Sequence, residues 1–366
     1  MPTSNPWRLD LHMNRRPDGP LTGDALAFGA QHVVPARALL SEFMNYAPTP
    51  LRHLPWMERE LGVGAVLLKD EAGRMGMGSF KALGGAHSVL CHVRRHGSAS
   101  TTVACASAGN HGLSVAAGAR AAGVRSVVCL SEAVPQSFEA RLRALGAETL
   151  RGGRDYEASL RLLEARAKER GWTIISDTVP LHAAGQDATP VREVMQGYTV
   201  LCDEAATDCE GQGGPPTHVF VQAGVGGLAA VCASYFRERW GDVVFVVVEP
   251  MSAACLLESA RRGAPGHIAD HAAGATILGR LDCREPSVLA FRVLSPLADA
   301  FAAITDAAAE EAVRAVARDG VAQSPCGAAG AAGLLAACHD AGTRSVLGIG
   351  PRARILLIGT EAPVPS

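Results

Sequence analysis

The chain has 366 residues, 48% hydrophobic and 19% charged, with a formal net charge of −2. That length and apolar content supply a core for two packed lobes or one large α/β domain, and they exclude disorder over most of the chain. The small net charge gives no bulk attraction to nucleic acid or an anionic membrane, and no run approaches the roughly 18 uninterrupted apolar residues of a membrane span.

Residues 1–18 mix Pro, Arg, Asn and Asp without an apolar stretch, so no signal peptide is expected. The first 50 residues, rich in Pro and Arg, are expected to form an irregular surface wrap or an oligomer contact. Residues 65–69 (AVLLK) read as a strand and 80–95 as a helix. Strands at 102–106 and 126–130 then alternate with helices at 111–122 and 137–145. A charged amphipathic helix is expected at 155–170 and a strand at 172–176. The segment 203–216 (DEAATDCEGQGGPP) ends in a Gly/Pro-rich loop expected at the surface. Beyond it come a strand at 218–222, a helix at 228–239 and a strand at 243–248. Helices at 306–319 and 328–338 and a strand at 354–358 close the series. Such alternation implies an α/β fold with parallel sheets covered by helices on both faces. None of the ten cysteines has CxxC spacing, and several sit inside apolar runs. They read as buried, reduced thiols of a cytoplasmic enzyme, with no metal site.

Three turns carry candidate chemistry. Residues 76–85, GMGSFKALGG, set Lys81 at the start of a helix after a glycine-rich turn. A lone lysine there is ordinarily a surface residue. Hemmed by Ala82 and Leu83, however, it would have its ammonium form disfavoured, which helps Schiff-base chemistry. Residues 107–112, SAGNHG, follow a strand; Asn110 either serves the turn or offers its amide to a ring hydroxyl. Residues 222–228, QAGVGGL, join a strand to a helix whose first N–H groups suit a phosphate. This turn fits neither a full dinucleotide fingerprint nor a Walker loop. A lysine for an imine, an asparagine for a hydroxyl and a glycine turn for a phosphate are together the handles of pyridoxal 5′-phosphate.

The order SFK, SAGNHG, AGVGG resembles the tryptophan-synthase-β-like group (fold type II) of pyridoxal-phosphate enzymes over about residues 40 to 362. Within it the chain is most similar to the diaminopropionate ammonia-lyase family. The resemblance is carried by VMQGYTVLCDEA at 194–205, THVFVQAGVG at 217–226, VEP at 248–250, ATILGRLDCREP at 275–286 and IGTE at 358–361. It implies a two-lobed α/β fold, with residues 1–85 and 200–366 in a large cofactor-binding domain and 86–199 in a smaller one. It also implies that Lys81, after Phe80, joins the cofactor through an imine and later moves the Cα proton. Asn110 would meet the ring hydroxyl, Gly224, Val225, Gly226, Gly227 and Leu228 the phosphate, and Thr360 the pyridine nitrogen. A hydroxyl at Thr360 cannot protonate the ring as a carboxylate would, which favours elimination over transamination. Asp177 would lie by the substrate amino groups, or else serve as a plain turn residue.

Two departures touch the substrate pocket of Ser107, Ala108 and Ser324. Ala108 stands where the family has an acid linked with the D-isomer, and Ser324 stands where it has a glutamate. Neither can take a proton or pair with an amine as a carboxylate does. The expected reaction is elimination from a β-substituted amino acid such as 2,3-diaminopropionate, giving a 2-oxo acid and ammonia. The alternatives are a dehydratase of serine, threonine or phenylserine type, then a β-replacement synthase, then a non-catalytic metabolite-binding protein. A homodimer is expected.

Overall fold

The computed structural model describes residues 5–16, 23–132, 134–154, 156–185, 187–269 and 275–363. In chain order, β1 (Leu9–Met13), α1 (Val33–Phe43), β2 (Leu51–His53), α2 (Pro55–Leu61) and β3 (Ala65–Asp70) lead to α3 (Lys81–His96). There follow β4 (Thr102–Ala106), α4 (Asn110–Ala121), β5 (Arg125–Leu130), α5 (Gln136–Ala144), β6 (Glu148–Arg151), α6 (Tyr156–Arg170) and β7 (Thr173–Ile174). The long α7 (Thr189–Gly211) precedes β8 (His218–Gln222), α8 (Gly227–Trp240), β9 (Val244–Pro250), α9 (Cys255–Arg262) and α10 (Val288–Leu297). The chain ends with β10 (Ala300–Ile304), α11 (Asp306–Arg318), α12 (Ala329–His339), α13 (Ala341–Val346) and β11 (Arg354–Gly359).

The strands form two sheets, one of seven in the order β1-β10-β9-β8-β11-β3-β2 and one of four in the order β6-β5-β4-β7. The five central strands of the larger sheet and all of the smaller sheet are parallel, whereas β1 and β2 join the two edges antiparallel. Parallel strands are covered on both faces and therefore read as unbroken apolar runs, as in HVFVQ and RILLIG. Alternate residues divide the core: Val219, Val221, Leu356 and Ile358 pack on one face, and Phe220, Ile355 and Leu357 on the other.

Several expectations need correction. The first 50 residues are not an irregular wrap where they are described: β1 extends the sheet beside β10, and α1 buries Val33, Ala36, Leu39 and Leu40. Residues 1–4 and 17–22 of that stretch lie outside the described residues, as does residue 155 of the helix expected at 155–170. The loop after residue 211 is largely exposed as expected, but residues 203–211 continue α7, with Ala205, Ala206 and Cys209 buried. The strand expected at 172–176 is only two residues long. Apart from these corrections, the positions 85/86 and 199/200 of the expected two-domain division lie in α3 and α7. These two helices pack so closely that a Cβ on Gly84 would lie 2.5 Å from the Tyr198 ring.

A buried ionic network fixes the path from β3 to α3. Arg74 donates to Glu71 through Nε and Nη2 at 2.7 Å each, and to Glu204 of α7 through Nη2 at 2.8 Å and Nη1 at 2.9 Å. Lys69 Nζ lies 2.8 Å from Glu204 Oε2 and donates to the Thr49 carbonyl at 2.6 Å. Two cations and two anions, all buried, therefore balance. Burial pushes the Glu204 carboxyl up, but the bonds to Arg74 and the charge of Lys69 hold it down at about 2. Anchored there, the chain turns through Met75 at φ 48° and Gly76 at φ 71° to deliver Lys81. Arg74→Leu leaves two buried carboxylates short of their main partner, so a loss of about 3–5 kcal/mol is expected in urea denaturation. A loss below about 1 kcal/mol would contradict this role.

Candidate active site

Parallel pairing gathers the three chemical turns. In the larger sheet β11 lies between β8 and β3, with Leu357 beside Phe220 and Gly359 beside Asp70. The glycine turn after β8, Thr360 after β11 and Lys81 after β3 thus emerge side by side at the carboxyl ends of parallel strands, where ligands of such sheets bind. From the smaller sheet, β4 delivers residues 107–110 and β7 delivers Asp177.

The chain has three lysines, and their settings differ. Lys69 is locked in the buried network, and Lys168 is exposed on α6. Lys81 is partly buried at the first position of α3, and its Nζ donates to Asp177 Oδ2. Here an expectation is corrected. Burial does disfavour the ammonium, but the Asp177 charge and hydrogen bond outweigh it, so the Lys81 pKa is held above the ordinary lysine value. Burial likewise works against the Asp177 carboxylate, yet the Lys81 charge pulls its pKa well below the usual range. His111 stands behind this pair. Its Nε2 lies 3.0 Å from the Ile175 carbonyl and so carries hydrogen, while Nδ1 is 4.0 Å from Asp177 Oδ2 and has no hydrogen-bond partner among the described residues. Phe80 sets its ring 5.0 Å from that of Tyr198, beside Lys81.

The glycine turn sits against the same pair: a Cβ on Gly227 would meet the Asp177 carbonyl at 3.8 Å, and one on Gly224 the Cys283 sulfur at 3.0 Å. Gly226 adopts φ 98°, a left-handed conformation that favours glycine. Among the described residues no acceptor is recorded for the N–H groups of Gly224, Val225, Gly226, Gly227 and Leu228. Five such donors at the start of a 14-residue helix suit a dianion. With a primary amine and a hydroxyl beside them, they fit pyridoxal 5′-phosphate.

The remaining expected residues form a second group. Asn110 is buried, and its Nδ2 donates to Glu361 Oε2 at 2.8 Å. Arg280 Nη1 donates to the same oxygen at 2.6 Å, and Ser324 Oγ donates to Oε1 at 2.7 Å. Sequence reasoning gave Glu361 no role, although it follows Thr360 directly; the signal was the carboxylate closing the IGTE run. Ser324 therefore stands beside a carboxylate even though it has none, and Arg280 neutralises that carboxylate. Ser107 Oγ accepts from the Gly109 N–H at 3.2 Å, while Ala108 is exposed in the turn and joins neither group. Thr360 is buried, and its Oγ1 accepts from Gln222 Nε2 at 2.9 Å.

With Asp177→Asn, burial acts on Lys81 without its counter-charge. Its titration is then expected to move from above the ordinary lysine value of 10.5 to below it. The pH dependence of amine modification at Lys81 in cofactor-free protein, read by peptide mass spectrometry, checks this; an unchanged profile would contradict it.

A family model described as pyridoxal-phosphate dependent enzyme matches residues 43–350. The chain is 31% identical over 354 residues to diaminopropionate ammonia-lyase of Escherichia coli K12, covering 89% of this chain and 87% of that protein. Its fold is similar to the crystal structure of the Escherichia coli diaminopropionate ammonia lyase in complex with an aminoacrylate-PLP azomethine reaction intermediate. That match has a TM-score of 0.85 and 29% identity, and it covers 97% of this chain and 94% of that one. Threonine deaminase isoform 2 from Solanum lycopersicum shares the fold at a TM-score of 0.80 and 21% identity, over 99% and 95% of the two chains.

Proposed function

The chain belongs to the family of pyridoxal-phosphate dependent enzymes, and on that premise we propose that it removes the β-amino group of 2,3-diaminopropionate or a close analogue. The products are a 2-oxo acid and ammonia. The observation that carries the proposal is the Lys81–Asp177 pair facing the glycine turn.

Each residue has a task in such an elimination. The five N–H groups of the turn, which have no acceptor among the described residues, would hold the phosphate, and Thr360 would pair with the ring nitrogen. Bound at Lys81, the cofactor withdraws electrons from the substrate Cα, which makes its proton removable. Lys81 Nζ, once released, is the base within reach of that proton. Asp177, left without its lysine partner, is a partly buried carboxylate able to hold a substrate ammonium. The partly buried setting limits water around these groups and strengthens both interactions.

A second reading, dehydration of a 3-hydroxy amino acid, is supported by a separate observation. Ala108 and Ser324 lack carboxylates, and Glu361 is neutralised by Arg280. Of the carboxylates named at the site, Asp177 then remains to attract a second amine. The proposal further takes the protein as a cytoplasmic homodimer acting on small amino acids; ten free cysteines suit a reducing compartment. It also keeps the division into a large domain of residues 1–85 with 200–366 and a smaller one of 86–199. Among the described residues no helix is long and apolar enough to cross a membrane.

Ammonia and 2-oxo acid release by cofactor-loaded protein tests the proposal on L- and D-2,3-diaminopropionate, L-serine, L-threonine and threo-phenylserine. The L-diamino acid is expected to be the best substrate, and Lys81→Ala to lower its turnover about 10³-fold or more. Preference for a hydroxy amino acid would transfer the assignment to the dehydratase reading. Undiminished turnover by Lys81→Ala would overturn both.

A further inference from the structure

The Arg280 side chain is 35% exposed and stands at the edge of the site. The residue starts against the glycine turn, where a Cβ on Gly224 would lie 3.3 Å from the Arg280 carbonyl. Its guanidinium ends at Glu361, one residue beyond Thr360, and Nη1 donates to Oε2 there at 2.6 Å. Nε and Nη2 have no hydrogen-bond partner among the described residues. A guanidinium offers five N–H donors in a planar fork, so most of this one stays open.

Glu361 does not depend on Arg280 alone. Its Oε2 also accepts from Asn110 Nδ2 at 2.8 Å, and its Oε1 from Ser324 Oγ at 2.7 Å. Elsewhere in this chain one guanidinium serves two carboxylates at once: Arg74 bonds Glu71 through Nε and Nη2, and Glu204 through Nη1 and Nη2. Arg280 has the first of two such partners and room for the second.

The α-carboxylate of an amino acid has another place. Among the described residues no acceptor occurs for the N–H groups of Asn110, His111 and Gly112, which open the 12-residue α4. Donors so arranged suit a carboxylate. Asp177 serves a cation, and Lys81 is engaged by the cofactor. Of the cations named at the site, Arg280 is then left for a second anion, and positions 108 and 324 hold no carboxylate to repel one.

We propose that the protein has a further activity, elimination from β-substituted amino acids that carry a second anion, with the open edge of Arg280 binding that anion. The inference rests on the reading of the chain as an eliminating lyase and adds a substrate class to it. In 3-hydroxyaspartate the second anion is a carboxylate on Cβ; in O-phosphoserine it belongs to the leaving group. Lys81 takes the Cα proton, the electron pair of that bond becomes the Cα–Cβ double bond, and the Cβ–O bond breaks. Hydroxide leaves the first substrate and is protonated to water, and phosphate leaves the second. The released enamine takes up one water at Cα and gives a 2-oxo acid and ammonia, with no change of oxidation state overall.

Binding without turnover tests the anion site first. L-Aspartate and L-asparagine have no leaving group and differ by one charge, and calorimetry on the cofactor-loaded protein compares them. L-Aspartate is expected to bind about tenfold more tightly or better. Arg280→Gln removes the preference and Arg280→Lys keeps part of it. Equal affinities in wild type overturn the inference even if Arg280→Gln fails to fold. Ammonia release from L-threo-3-hydroxyaspartate, O-phospho-L-serine and L-serine then tests the activity. At least one anionic substrate is expected to exceed L-serine in kcat/KM, and that ratio to fall about tenfold or more in Arg280→Gln. An unchanged ratio in the folded variant overturns the inference. So does release from 2,3-diaminopropionate with neither anionic substrate consumed, a result that leaves the lyase reading standing. No ammonia from any of these amino acids removes the lyase reading itself.

Discussion

A lysine ammonium and an aspartate carboxylate, paired between two sheets, hold this site together. Lys81 arrives from the larger sheet by way of β3, and Asp177 from the smaller one by way of β7. Burial disfavours each charge by itself, and each is kept ionised by the other. A partly buried pair of this kind adds little net stability over an apolar pair, but losing one partner leaves an unfavourable charge behind. Its value here is therefore chemical. It holds a primary amine in a defined place beside five backbone N–H groups that have no acceptor among the described residues, and in the proposed reaction it would leave a carboxylate for another cation once the lysine is engaged.

The surrounding architecture exists to set that pair. The parallel order β8-β11-β3 brings residues 81, 224–228 and 360 to one edge although 279 positions separate the first from the last. The network of Arg74, Glu71, Glu204 and Lys69 ties the strained turn before α3 to α7. The glycines of α3 then let α7 approach within contact of its backbone, because any Cβ at Gly84 would strike Tyr198 or Val194. Rigid support behind a reacting lysine is what confines it to productive geometry.

Much of this was legible in the chain itself. Runs such as AVLLK and HVFVQ are continuous because parallel strands are buried on both faces, and their ends marked the turns that carry Lys81 and Gly224. β10 (AFAAI) and the helices at 55–61 and 288–297 were missed, since alanine-rich or short apolar segments show neither period clearly. The partners Glu361, Arg280 and Gln222 were beyond reach for another reason. Asn110 and Glu361 are 251 residues apart, and nothing local in either segment announces the contact. The apolar neighbours of Lys81 suggested a suppressed ammonium because the counter-charge that reverses it comes from 96 residues downstream.

Lys81 is the residue proposed to carry pyridoxal 5′-phosphate. Borohydride reduction of the loaded protein, followed by peptide mapping, tests it most directly, because the chain offers only three lysines. A single pyridoxyl group is expected, on the peptide containing Lys81. A label on Lys168 or Lys69, with Lys81 unmodified, would contradict it.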